Sequence, residues 1–163
     1  MKTLYMPVHI SGTYHQRSVD NKRGLYDALS RRGDVLEIDY VAIPPDMLAG
    51  VIRNQLKHFQ PDLLWTQFQG ANVQLIETLT SWRADYPEMQ IANWNGDVYE
   101  EHLTSPEMLA LLRNVDVQLV VNASVLDTYE REGIRAAFCP FGYEAPQGEL
   151  PDVPDSLAHG KYS

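Results

Sequence analysis

The chain has 163 residues, 44% of them hydrophobic and 21% charged, with a formal net charge of −9. That length suits one domain with a real core, and the composition excludes a disordered chain. The acidic balance argues against nucleic-acid partners, whose phosphates reward Lys and Arg clusters, and Lys22-Arg23 and Arg31-Arg32 are too short to form one.

The first ten residues, MKTLYMPVHI, carry one Lys and an apolar stretch, as a short leader would, but no small-residue cleavage site. Thr3 to Ile10 therefore reads as a first buried strand. SVDNKRGLYDALSRRG follows with helical spacing, Leu25, Tyr26 and Leu29 sharing a face, Ser18 placed to cap and Gly33 to stop it. DVLEIDYVAI is the second strand. Pro44 and Pro45 open a helix whose apolar stripe is Leu48, Val51, Ile52, Leu56 and Phe59, and Pro61 ends it. DLLWTQF is strand three. Val73 to Tyr86 is a helix with Leu75, Ile76, Leu79 and Trp82 inward, broken by Pro87 before strand four, QIANW.

SPEMLALLRNVD starts with Ser at the cap and Pro at the first helical position. VQLVV is strand five. In SVLDTYEREG, Ser124 and Asp127 have the spacing of a capping box, and Gly133 ends the helix. RAAFCPF is strand six, in which Cys139, the single cysteine, reads as a small buried hydrophobe. One cysteine excludes an internal disulfide and suits a reducing compartment, so a cytoplasmic location is expected. No run approaches the ~18 to 20 apolar residues of a membrane span. Beyond Tyr143 the polar tail with its prolines reads as a linker or strap.

Strands alternating with helices predict an α/β fold, a Rossmann-like three-layer sandwich with a six-stranded, mostly parallel sheet. Strand order is not written in the sequence, and the commonest order for six strands, 3-2-1-4-5-6, is taken as the expectation. Ligands bind such sheets beyond the carboxyl ends of the strands, where the order reverses. Under that order the turn SGTYHQRS after strand one faces the turn NGDVYEEH after strand four across the crevice.

The first turn has one glycine, Gly12, and so is neither a dinucleotide fingerprint nor a P-loop. Arg17 stands beside a helix start that can receive an anion. His15 is either a proton shuttle or a surface histidine. Asp97 is either a general base towards a hydroxyl or a turn former in the Asn95-Gly96-Asp97 bend. Gln67 alternates with Trp65 and Phe68 near the end of strand three and can line the same cleft. Asp97, Glu100, Glu101 and His102 invite a metal reading, but their spacing matches no defined loop and an exposed acidic helix start explains the glutamates, so no metal is expected. Tyr143, in PFGYE, borders the cleft or simply turns the chain. No nucleophile elbow or Ser-His-Asp arrangement is legible.

The run NWNGDVYEEHLTSPEMLALLRNVDVQLVVNASVLDTYEREGIRAAFCPFGYE resembles the N-terminal half of GT-B glycosyltransferases, in the group of spore-maturation-protein-like and phage-associated enzymes. WNGD, VDVQLVVN, YEREGI and PFGYE carry the likeness, with YMPVHISG, ALSRRGDVLEIDY and PDLLWTQ upstream. It covers about residues 1–145, leaving 146–163 as a linker towards a C-terminal domain.

What the resemblance implies is an acceptor-side domain facing a donor-binding domain or second chain, with a nucleotide-sugar as co-substrate rather than a tightly bound cofactor. Asp97 or His15 would be catalytic, and Gly12, Arg17, Gln67, Asn95, Gly96 and Tyr143 would contact substrate. The donor-binding half is missing, so the isolated chain should transfer little or no sugar. The alternative is a non-catalytic Rossmann-like module that binds a ligand or partner.

Overall fold

The computed structural model describes residues 1–7, 25–71 and 73–140. Their strands are β1 (Lys2–Met6), β2 (Asp34–Glu37), β3 (Leu63–Thr66), β4 (Gln90–Asn95), β5 (Val117–Val120) and β6 (Ala136–Phe138). Helical residues 25–30 (α1) precede β2. The later helices are α2 (Pro45–Phe59), α3 (Val73–Asp85), α4 (Glu100–Leu103), α5 (Pro106–Leu112) and α6 (Leu126–Arg131).

All five pairings are parallel, and the order is β2-β1-β3-β4-β5-β6. The α/β class and the parallel three-layer arrangement are as expected; the strand order is not. The reversal falls between β1 and β3, and β3 stands between β1 and β4. Parallel strands joined by helices are compatible with either order, because each crossover obeys the same right-handed rule whichever side the next strand joins. Which side it joins depends on packing between helices and sheet that periodicity does not encode.

One face of the sheet carries Leu4, Met6, Leu64, Ile91 and Val120, packed with Ile52 and Leu56 of α2, Leu75, Leu79 and Trp82 of α3, Met108, Leu111 and Leu112 of α5 and Tyr129 of α6. Each fully buried side chain of this size contributes about 1.5–3 kcal/mol relative to exposure. Alternate residues of β1 and β3 point to the other face. There Tyr5 and Trp65 are neighbours in register, the Tyr5 hydroxyl and Trp65 Nε1 buried without a hydrogen-bond partner among the described residues.

Local signals explain most boundaries. Pro45 occupies the first turn of α2, and Gln60 closes it in the left-handed region at φ 50°, its N–H donating to the Leu56 carbonyl. Ser105 caps α5, its Oγ accepting from the Met108 amide at 3.2 Å. Gly33 lies against the amino terminus, where a Cβ would run into the Met1 carbonyl.

Strands β2, β3, β5 and β6 are shorter than their apolar runs. Beyond β2, Tyr40–Ala42 forms a 3-10 turn that Asp39 caps. The expected capping box at Ser124 does not form. A 3-10 turn at Ala123–Val125 precedes α6, and the side chain of Asn122 accepts from the Ser124 amide instead. Ser124 Oγ donates to Glu100 Oε2 at 3.1 Å. Cys139 is half-buried rather than buried, because β6 is the edge strand and Ala137 and Phe138 are themselves exposed.

Candidate functional site

Because the strands are parallel, their carboxyl ends share one edge, and the turns after β3, β4 and β5 are adjacent there. The turn after β4 rests on amides buried in the sheet. Asn93, Asn95 and Gln118 are fully buried, as is Thr66. Such groups are tolerated inside a protein only when hydrogen-bonded. Asn93 Oδ1 accepts from Thr66 Oγ1 and from the Phe68 amide, both at 2.8 Å. Its Nδ2 donates to Gln118 Oε1 at 2.8 Å and to the Phe68 carbonyl at 3.4 Å. The network spans β3, β4 and β5 and leaves little freedom to the residues above it.

Asn95 continues this support. Its Nδ2 donates to the Phe68 carbonyl at 3.1 Å, while its Oδ1 accepts from the Asp97 amide at 2.8 Å. A side chain accepting from an amide two residues on is the local turn that asparagine favours. Asp97 repeats it, Oδ1 accepting from the Tyr99 amide at 3.0 Å. Its Oδ2 lies 3.2 Å from His102 Nδ1. Asn122 Nδ2 donates to the Val98 carbonyl at 2.8 Å, tying the turn to the end of β5. Behind it, Trp94 Nε1 reaches across β5 and donates to the Cys139 carbonyl at 3.3 Å.

Asp97 is 19% exposed and His102 63%. Partial burial works against the Asp97 charge, but the Tyr99 amide, the His102 ring and the Val98 amide outweigh it and hold the carboxyl below its ordinary value. Asp97 is therefore ionised at neutral pH and acts as an acceptor. The imidazole of His102 is also near the Tyr99 ring, with centroids 5.7 Å apart and planes tilted by 56°.

Among the expected site residues, Asn95, Gly96 and Asp97 share this turn, Gly96 half-buried between the other two. Gln67 follows β3 one strand away, its backbone amide donating to the Met6 carbonyl and its backbone carbonyl accepting from the Tyr40 hydroxyl at 3.1 Å. Beside it, a groove of about 240 Å³ runs between Tyr40, Ile43, Leu48, Gly70, Gln74 and Leu75. Gln67 thus stands at the β1–β3 reversal and Asp97 one strand beyond it, so the turn after β4 lies roughly two strand spacings, about 10 Å, from the end of β1. Gly12, His15, Arg17, Ser18 and Tyr143 lie outside the described residues. No three His, Cys, Asp or Glu side chains converge as metal ligands among the described residues.

His102 is the partner of Asp97 that sequence spacing did not reveal. Only once α4 begins at Glu100 does residue 102 fold back over the turn. The buried amides did leave a signal: Asn93 and Gln118 interrupt apolar strands at inward-facing positions.

No helix among the described residues is long and apolar enough to cross a membrane. No family model matches the chain, and no curated protein does. Among solved structures, a "putative lipoprotein" fragment from Peptoclostridium difficile 630 is similar at 14% identity and a TM-score of 0.42, over 82% of this chain and 94% of that one.

Proposed function

We propose that the chain is the acceptor-side domain of a GT-B type glycosyltransferase, binding a hydroxyl-bearing acceptor at the turn after β4. A donor-binding domain or second chain would supply the nucleotide-sugar. The observation that carries this reading is the placement of Asp97 and His102. An ionised carboxylate whose turn is held by the buried Asn95, and an exposed imidazole against it, stand at the carboxyl edge of the sheet, one strand from the β1–β3 reversal. Hydroxyl groups are recognised by such acceptors, and Gln67 adds an amide one strand away. Catalysis needs the donor held against the acceptor, so the isolated chain transfers little or no sugar. A cytoplasmic setting fits the lone, half-buried Cys139.

The test is a titration of the isotope-labelled chain with methyl glycosides, followed by amide chemical shifts. Shifts confined to residues 67–69 and 95–102 are expected. No response, or a response centred elsewhere, overturns the acceptor site.

One observation favours a second reading, a non-catalytic binding module. Both Asp97 oxygens are engaged within its own turn, as a purely structural aspartate's would be. Turnover separates the two: in the enzyme joined to its donor domain, Asp97→Asn lowers kcat by a large factor under the transferase reading. Unchanged kcat favours the module.

A further inference from the structure

We infer that His102 is the group that receives the proton of the acceptor hydroxyl, and that Asp97 is a positioning residue fixing the imidazole's orientation and tautomer. The inference rests on the acceptor-site reading and deepens it, since that reading leaves open which group takes the proton. An ionised carboxylate offers only acceptors. Asp97 Oδ2 lies 3.2 Å from Nδ1 of His102, so a neutral ring meets it favourably only with the proton on Nδ1. Nε2, on the far side of the ring, then carries the lone pair. The ring is 63% exposed, and among the described residues its side-chain hydrogen-bond contact is through Nδ1.

Asp97 is poorly suited to take the proton itself. Its Oδ1 is held by the Tyr99 amide, Oδ2 faces His102, and only 19% of the side chain is exposed. The amide contacts also keep its carboxyl below the ordinary range, which makes it a weak base. The arrangement is fixed from below by Asn95, whose Oδ1 accepts from the Asp97 amide, and from α4, which carries His102. Glu100 of the same helix is drawn towards Ser124.

The step balances as follows. The acceptor O–H bond breaks, and its proton passes to His102 Nε2, giving an imidazolium whose Nδ1–H stays on Asp97. The oxygen's electron pair forms a bond to the anomeric carbon of the nucleotide-sugar. The bond from that carbon to the phosphate oxygen breaks, and the nucleoside diphosphate leaves with the electron pair.

Long-range proton–nitrogen NMR on the full chain with nitrogen-15 histidine, above the pH at which the ring loses its charge, tests the inference without turnover. The His102 signal is assigned with His102→Gln. The expected result is a predominant Nδ1–H tautomer that gives way to Nε2–H in Asp97→Ala. A predominant Nε2–H tautomer in the unsubstituted chain overturns the inference, and that spectrum decides even where the variant fails to fold. Methyl glycosides added to the same sample separate the two readings. A shift at Nε2 supports both, whereas an Nδ1–H ring indifferent to sugars keeps the oriented imidazole and overturns the acceptor site.

Discussion

Asn93 has no exposed surface and hydrogen-bonds to Thr66, Phe68 and Gln118 at once. Replacing it with Leu preserves bulk and apolar character but strands the Phe68 amide and the Gln118 side chain. Asn93→Leu is expected to lower stability by about 2–4 kcal/mol in urea unfolding, more than a volume argument alone allows. Asp97 acts at the surface of the same network. Its folded pKa is below the ordinary 3.8, so it contributes stability that is fully present above the unfolded pKa and lost as pH falls through the folded one. Asp97→Asn should therefore flatten the acid limb of the stability–pH curve below about pH 4, as followed by thermal unfolding across pH. The acidic turn was legible in the sequence because Asn, Gly and Asp crowd together where a strand ends. The pairing of Asp97 with His102 was not, since five positions apart places two side chains together only if a helix starts between them.

At the level of elements, proline and serine were the reliable punctuation. Pro45, Pro106 and Ser105 stand where the reading put them because their backbone and capping preferences act within a few residues. Ser124 failed as a cap for an equally local reason: Asn122, two residues earlier, captures the Ser124 amide and starts a 3-10 turn instead. The difference is measurable. Ser105→Ala should cost about 1 kcal/mol, as should Asn122→Ala, whereas Ser124→Ala, which loses only an exposed bond to Glu100, should cost clearly less. Denaturant midpoints of the three variants check the order. The apolar runs overstated strand length at β2 and β6, since an apolar residue packs equally well in the turn just beyond a strand.

For the whole molecule, the fold class was legible and the strand order was not. Alternation of strand and helix compels a covered parallel sheet, but the choice between β3 and β4 as the neighbour of β1 is made by long-range packing. The observed order makes β1, β3, β4 and β5 interior, with β2 and β6 at the edges. Hydrogen exchange should follow it: amides of β3 and β4 exchange slowest and those of β6, with exposed Ala137 and Phe138, among the fastest of the strands. Comparable protection in β6 and β3 would contradict the order.

The indole of Trp94 bridges from the strand beneath the candidate site to the carbonyl of Cys139, just before Pro140. A tether of this kind works like a bell-rope. It ties the backbone at Cys139 to the residue next to Asn95, so the outer edge of the sheet and the candidate turn are joined through one indole.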